Sequence, residues 1–256
     1  MPMKNKRAFK LILFFLVLAA ATAAAFFLED RSGAPAKEMT FLTEQKTDRT
    51  AVTSVRFSED GIAIDGNGAA ADRNTVFILS GGTYELSGSC SDARVLVMSR
   101  KQKVTLVLNG LDLAYASGSP LFVYKSPLTV VELAEGTVNR LADAADYDFS
   151  DRYASGRKNE PCSVIYSRKD LVIQGEGSLI LEGNYQDGIS CLKSVGIFRC
   201  SLTVSAPGCG VRANRTVCGE HCSLTISCGE EGILAAADPT GTWVRLTDCD
   251  LRVNER

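Results

Sequence analysis

The third quarter of the chain repeats itself at a spacing of 22 residues. The segment 195–204 (VGIFRCSLTV) is echoed by 217–226 (VCGEHCSLTI), and a glycine before Ile or Val recurs at Gly188, Gly210 and Gly232. The spacing becomes 24 residues upstream and 27 downstream, where residues 238–241 (DPTG) are typical of a loop. A period of this length indicates a fold built from stacked units.

Each repeat consists of short runs rich in Val, Ile, Leu and Thr, separated by Gly, Asn, Asp and Ser, which predicts strands from Val55 onward. Sandwiches and up-and-down barrels have no need of identical glycines at a fixed interval. We therefore predict an all-β, single-stranded parallel β-helix, a solenoid in which equivalent residues stack about 4.8 Å apart.

The period also predicts which residues are stacked inside this β-helix. Two ladders of inward-facing aliphatic residues are expected: Ile189, Val211 and Ile233, and Leu179, Leu202 and Leu224. We attribute the recurring glycines to turns between faces, because glycine adopts a positive φ without steric cost.

The charge balance narrows the range of functions. The chain has 28 Lys and Arg residues against 30 Asp and Glu residues, a net charge of -2, so we expect no nucleic-acid partner. It has one histidine, which excludes most catalytic triads and His-ligated metal sites. Any catalysis must depend on carboxylates, Lys, Arg or Cys.

The N-terminal region has the pattern of an export segment. Four basic residues within the first ten precede 18 uncharged residues, Leu11–Leu28. Residues 1–28 are therefore predicted to be a cleaved signal peptide or a retained membrane-anchor helix, because 18 helical residues span about 27 Å. Residues 29–50 are polar and typical of a spacer, and residues 51–256 form the β-helix domain. Both outcomes predict an extracellular or cell-surface protein, which contacts the membrane if the segment is uncleaved.

Five short segments follow one another along the predicted β-helix: 82–88 (GTYELSG), 104–113 (VTLVLNGLDL), 135–139 (EGTVN), 175–179 (GEGSL) and 183–189 (GNYQDGI). In these segments the chain resembles the secreted carbohydrate-binding domain family of clostridia. The resemblance extends over about residues 55–253. It implies a right-handed parallel β-helix that binds polysaccharides, particularly acidic chains containing uronic acids, with bound calcium.

The calcium expectation depends on acidic residues in equivalent turns. Asp187, Glu230 and Glu231 are the candidate ligands, because calcium binds carboxylate and carbonyl oxygens. Asp187 and Glu231 are two turns apart in the repeat, about 9.6 Å. The turn between them, Gly208-Cys209, carries no acid. Solvated surface turns are the alternative interpretation.

The chain has nine cysteines, so at least one has no partner within the chain. Cys200, Cys222 and Cys249 occupy the same position in successive repeats and are predicted to face inward. Neighbouring turns would bring two of them within disulfide range. Buried free thiols are the alternative.

A sugar site is predicted in the polar insertion between Asn139 and Pro161, which interrupts the repeat. Sugar recognition needs flat aromatic faces, and an acidic sugar also needs basic groups. The candidates are Tyr147, Arg152, Tyr153, Arg157 and Lys158 in the insertion, and Tyr185 and Arg212 in two turns. The alternative is that the aromatic rings pack onto the β-helix as a lid.

Three functions are compatible with these features. We favour an extracellular, non-catalytic polysaccharide-binding protein. The second is a pectate-lyase-like polysaccharide lyase, and the third is a ligand-free structural surface protein. A lyase acting on uronic acids needs an acidic calcium cluster beside an Arg or Lys base, and the loss of acids at Gly208-Cys209 disfavours that chemistry.

Overall fold

The computed structural model describes residues 41–150, 153, 160–235 and 243–255, which form strands and, within these ranges, no helix. The strands are β1 (Val52–Ser58), β2 (Gly61–Asp65), β3 (Ala69–Asp72), β4 (Thr75–Ile78), β5 (Gly82–Cys90), β6 (Arg94–Val97), β7 (Val104–Ala114), β8 (Leu121–Val123), β9 (Leu128–Leu133), β10 (Val138–Ala142), β11 (Ser163–Ser167), β12 (Asp170–Gly175), β13 (Ser178–Glu182), β14 (Asp187–Cys191), β15 (Val195–Phe198), β16 (Ser201–Ala206), β17 (Val211–Ala213), β18 (Thr216–Glu220), β19 (Ser223–Cys228), β20 (Ile233–Ala235), β21 (Trp243–Thr247) and β22 (Asp250–Glu255).

The strands coil into a parallel β-helix with three faces. The first face contains β9, β12, β15, β18 and β21, the second contains β10, β13, β16, β19 and β22, and the third contains β4, β6, β8, β11, β14, β17 and β20. The long strand β7 contributes to the first two faces, since its first half pairs with β9 and its end pairs with β10. The predicted all-β parallel β-helix is confirmed.

The predicted ladders are in register. Ile189 pairs with Val211 and Val211 with Ile233, while Leu179, Leu202 and Leu224 are neighbours on the second face. All but Ile233 are fully buried, and Ile233 is partly buried in the last turn. The burial of the ladder residues follows from the alternation of side chains along each strand, because every second residue points into the core.

The recurring glycines have a different cause from the one predicted. The residues with positive φ do not include Gly188, Gly210 or Gly232. A Cβ on Gly210 would instead lie 2.4 Å from Cγ2 of Ile226 and 2.6 Å from the carbonyl oxygen of Gly232. The positive-φ prediction is wrong here, and glycine is required because neighbouring turns approach too closely for a side chain.

Left-handed backbone occurs at another position of the repeat, the turn from the first face to the second. Arg199, His221 and Asp248 occupy this position with φ values of 54°, 53° and 52°. A cysteine follows each of them in the sequence. The same local conformation is therefore repeated in three successive turns.

The two ends of the β-helix differ. At the N-terminal end, β2 and β3 pair antiparallel with β1 and β4, and Ile62, Ile64 and Ala69 pack against the core. At the C-terminal end, no described strand pairs with the outer edges of β20, β21 and β22. Leu251 and Val253 are 41% and 46% exposed there.

Residues 41–50 extend across the outer side of the first face and are called the axial segment below. The guanidinium carbon of Arg245 in β21 lies 4.0 Å from the ring centroid of Phe41. Further along, Gln45 exchanges two hydrogen bonds with Gln174 in β12, and Thr47 donates to Glu132 in β9. The segment therefore runs from the last turn towards the first.

The other N-terminal predictions lie outside the described residues. Residues 29–40 of the predicted spacer and the predicted signal or anchor, residues 1–28, are among those not described. In the part of the chain that is described, no helix is both long enough and apolar enough to cross a membrane.

Candidate functional site

The outer side of the third face carries a continuous apolar row. Phe77, Leu96, Phe122 and Tyr166 are in-register neighbours on β4, β6, β8 and β11. Leu96, Phe122 and Tyr166 are buried although they point away from the core. Tyr153 of the insertion helps to bury them, since its ring centroid lies 5.7 Å from that of Phe77.

Among the described residues, three cations lie against the aromatic rings around this row. The guanidinium carbon of Arg168 is 4.5 Å from the ring centroid of Tyr124, and the ammonium nitrogen of Lys125 is 4.8 Å from the same centroid. Arg94 lies 5.0 Å from the ring of Tyr115 and 5.8 Å from that of Tyr153. We call the surface formed by these residues the aromatic–basic surface: Arg94, Tyr115, Tyr124, Lys125, Tyr153 and Arg168.

Arg168 has an unusual position within this surface. Its Nε and Nη2 atoms are buried, and among the described residues neither has a hydrogen-bond partner. Its guanidinium contacts the rings of Phe122 and Tyr124, a cation–π arrangement that offsets part of the burial cost. Buried N–H groups are nearly always paired, so the two unpaired guanidinium atoms of Arg168 are an exception to that pattern.

Tyr147 is fixed to the β-helix. Its hydroxyl donates to Oδ2 of Asp143 at 2.6 Å, and its ring stacks on Tyr185 with centroids 4.4 Å apart. Burial raises the pKa of the Tyr147 phenol, with a further contribution from the Asp143 charge. Burial likewise raises the pKa of Asp143. These contacts favour the lid interpretation for Tyr147.

The structure thus brings Tyr147 and Tyr185 together, and places Tyr153 on the third face. Phe149, which was not among the predicted contacts, lies 6.0 Å from Tyr147 and 6.1 Å from Tyr185 and is 39% exposed. The predicted basic residues of the insertion lie outside the described residues: Arg152, Arg157 and Lys158.

Arg212 is surrounded by acids from neighbouring turns. Its Nε donates to Oδ2 of the fully buried Asp187 at 2.7 Å, and its Nη2 lies 3.0 Å from both Oε2 of Glu230 and Sγ of Cys209. The hydrogen bond to Asp187 is the main reason that the pKa of Arg212 is raised. Asp187 also accepts hydrogen bonds from the Cys209 amide and the Ser190 hydroxyl.

These residues do not fit a calcium site as they stand. Ligand atoms of Asp187, Cys209 and Glu230 lie within 4.8 Å of one another, but one of them is a thiol. Calcium requires six to eight oxygen ligands. The Arg212 guanidinium already provides the positive charge that the two carboxylates need, and Glu231 is an exposed residue whose carbonyl accepts from the Gly210 amide.

The comparison with known proteins agrees with this fold. A family model described as "carbohydrate-binding domain-containing protein" matches residues 72–255. The chain belongs to this family. The predicted resemblance to a clostridial carbohydrate-binding family is therefore confirmed.

Two relatives illustrate the family and the fold. A carbohydrate-binding domain-containing protein of Acetivibrio thermocellus is 31% identical over 152 residues, which cover 59% of this chain and 52% of the relative. The chain thus spans about half the length of that relative. The solved polysaccharide lyase-like protein from C. thermocellum, a gadolinium derivative, has a TM-score of 0.72 at 24% identity, covering 80% of this chain and 97% of its own. That likeness shows a shared fold.

Sequence reasoning missed most of the aromatic–basic surface of this carbohydrate-binding family member. Tyr124 and Lys125 follow β8, Arg168 follows β11 in the next turn, and only the coil brings them together. The usable signal was the alternation at Phe122 and Tyr124, because two aromatic residues two positions apart lie on the same side of a strand.

Proposed function

We propose that the chain is an extracellular, non-catalytic polysaccharide-binding protein, and that its aromatic–basic surface binds an acidic polysaccharide. The observation that carries this proposal is the grouping of cations against aromatic rings on one face. Arg168 and Lys125 lie 4.5 Å and 4.8 Å from the ring centroid of Tyr124, and Arg94 lies 5.0 Å from that of Tyr115. Membership of a carbohydrate-binding family supports a sugar as the ligand of this surface.

The chemistry of this surface suits a uronic acid. The apolar face of a pyranose ring stacks on an aromatic ring such as Tyr124, and a carboxylate accepts charge-assisted hydrogen bonds from a guanidinium such as Arg168. Lys125, beside the same ring, adds a second positive charge. Further contacts with the sugar are proposed for the basic residues near Tyr153 in the sequence, which are Arg152, Arg157 and Lys158.

The turn cluster around Arg212 is less suited to an acidic ligand. Its one cation pairs with both Asp187 and Glu230, so the cluster carries no positive charge that is free for a carboxylate. The same pairing supports a non-catalytic role, because a lyase base must be free to take a proton from the sugar. The proposed extracellular or cell-surface location, with membrane contact if the segment is uncleaved, is supported by the basic and apolar pattern of residues 1–28.

The test is retention of the full chain on immobilised polygalacturonate, with ultraviolet absorbance of the eluate monitored for unsaturated products. We expect retention without product, with micromolar to millimolar affinity, about 4–8 kcal/mol. Arg168→Gln and Lys125→Ala should each weaken binding about tenfold, because each removes a charged contact. Arg252→Gln, which changes an exposed arginine on β22, is the matched control and should bind normally.

Other outcomes would assign the function differently. Retention with absorbing product identifies a lyase, and no retention on acidic or neutral polysaccharides leaves the structural role. If Phe149→Ala or Tyr185→Ala reduces retention while the Arg168 and Lys125 variants bind normally, the site lies at the Tyr147–Tyr185 stack instead. Thermal midpoints of all variants separate loss of binding from loss of folding.

A further inference from the structure

Two cysteines in the last two turns meet inside the β-helix. Cys222 and Cys249 each follow a left-handed residue, His221 and Asp248, and the Asp250 amide donates to the Cys222 carbonyl at 2.9 Å. Their backbones are therefore in-register neighbours with the same local conformation. Their Sγ atoms lie 2.7 Å apart.

This arrangement satisfies the backbone requirement for a disulfide. Neighbouring strands place equivalent Cα atoms about 4.8 Å apart, and disulfides join Cα atoms that are about 4.4–6.8 Å apart. Because His221 and Asp248 have nearly the same φ, the side chains of the cysteines that follow them point in the same direction from the backbone. Cys200 occupies the equivalent position one turn earlier, but among the described residues the close sulfur contact joins Cys222 to Cys249.

The location of the two cysteines indicates what a disulfide between them would stabilise. Cys249 belongs to the last turn, whose outer edge no described strand covers, and every residue of β22 is exposed. The last described turn pairs with a neighbour on one side only, and a turn with fewer neighbours opens more easily than one paired on both sides. A covalent link to Cys222 would hold this turn on the body of the β-helix.

We propose that Cys222 and Cys249 form a reversible disulfide that fastens the last turn of the β-helix. Cys249 is partly exposed and Cys222 is buried, so an oxidant reaches Cys249 first. With oxidised glutathione, the Cys249 thiolate attacks the glutathione disulfide and releases one glutathione thiol. The Cys222 thiolate then attacks the Cys249 sulfur and releases the second, so two protein thiols are oxidised and one glutathione disulfide is reduced.

The burial of Cys222 affects the rate of this second step. Burial raises the pKa of the Cys222 thiol, which lowers its thiolate fraction at neutral pH. Exchange depends on thiolate, so closure of the bond should be faster at pH 9 than at pH 7. The end state should be the same at both pH values.

The first experiment counts thiols in the full chain. Reduced protein should take up nine alkyl groups after denaturation, one per cysteine, and protein treated with oxidised glutathione should take up seven. Tryptic peptides on either side of Arg245 should be linked through Cys222 and Cys249. Cys249→Ala should keep all eight remaining thiols, and Cys222→Ala should stop at a mixed disulfide between Cys249 and glutathione. Cys90→Ala, which changes a partly exposed cysteine at the other end, should still lose two thiols.

The second experiment measures the effect on the last turn. Oxidation should slow hydrogen exchange in β22, slow tryptic cleavage at Arg252 and raise the thermal midpoint by about 5–10 °C, and dithiothreitol should reverse all three. Nine alkylated thiols after oxidation, or a link between other cysteines, would overturn the proposal. So would a bond that leaves hydrogen exchange in β22 unchanged.

Discussion

Asn139 is fully buried at the start of β10 and joins three successive turns through one amide group. Its Oδ1 accepts from the Leu111 amide at 2.9 Å, and its Nδ2 donates to the Ser178 carbonyl at 3.2 Å and to the Thr137 hydroxyl at 3.1 Å. Leu111, Asn139 and Ser178 belong to β7, β10 and β13, which are neighbours on the second face. No aliphatic side chain offers both a donor and an acceptor at this point.

We expect Asn139→Ala to lower the free energy of unfolding by about 1–3 kcal/mol, because the buried Leu111 amide loses its acceptor. Urea denaturation measures this directly. Asn109→Ala, which changes an exposed asparagine in β7, should stay within about 0.5 kcal/mol of the wild type. Equal losses in the two variants would show that the buried amide group has no special role.

At the scale of strands and turns, the cluster around Arg212 links three turns of the β-helix. Asp187 begins β14, Arg212 lies in β17, and Glu230 follows β19. Ser190 occupies the position of Arg212 in the preceding turn and Leu234 occupies it in the following one. The repeat therefore tolerates other residues at this position, and the arginine is explained by its acidic neighbours.

Arg212→Ser should lower the free energy of unfolding by about 3–5 kcal/mol, because the fully buried Asp187 loses its paired cation. Millimolar calcium should leave the thermal midpoint of the wild type unchanged and recover part of the loss in the variant, where the Asp187 and Glu230 carboxylates have no cation between them. Arg215→Ser, which changes an exposed arginine, is the control. A wild-type midpoint that rises with calcium would contradict our assessment of this cluster.

At the scale of the whole molecule, the axial segment connects turns that are distant in sequence. Leu42 packs among outward-facing residues of the first face, including Phe198 and Cys218. Gln174, which is buried beneath the segment, exchanges hydrogen bonds of 2.8 Å and 2.7 Å with the Gln45 backbone. The segment thus holds several turns to one another, in addition to the hydrogen bonds between adjacent strands.

Gln174→Ala should release the centre of this segment. We expect faster hydrogen exchange in residues 41–50 and a loss of about 1–3 kcal/mol in the free energy of unfolding, because the Gln45 amide and carbonyl lose their partners. Thr203→Ala, which changes an exposed residue on the second face, should alter neither quantity. Unchanged exchange in residues 41–50 of the Gln174 variant would show that other contacts hold the segment.

The sequence alone determined the coil and its inner ladders, because residues one period apart must be neighbours once each period forms one turn. Ile189, Val211 and Ile233 are paired as their spacing predicts. The alignment of Cys222 with Cys249 follows from the same rule, although the spacing there is 27 residues.

Only the tertiary structure determined which residues come together on the outer faces, because the distances between outward-pointing side chains depend on turns and insertions of unequal length. Tyr124 precedes the insertion between β10 and β11, Tyr153 lies within it and Arg168 follows it, yet the Tyr124 ring contacts both of the others. The need for glycine at position 210 was likewise not visible in the repeat, since it comes from the close approach of Ile226 in the next turn rather than from the local backbone. A period specifies which residues stack, whereas van der Waals contact and charge pairing between stacked turns specify what those residues must be.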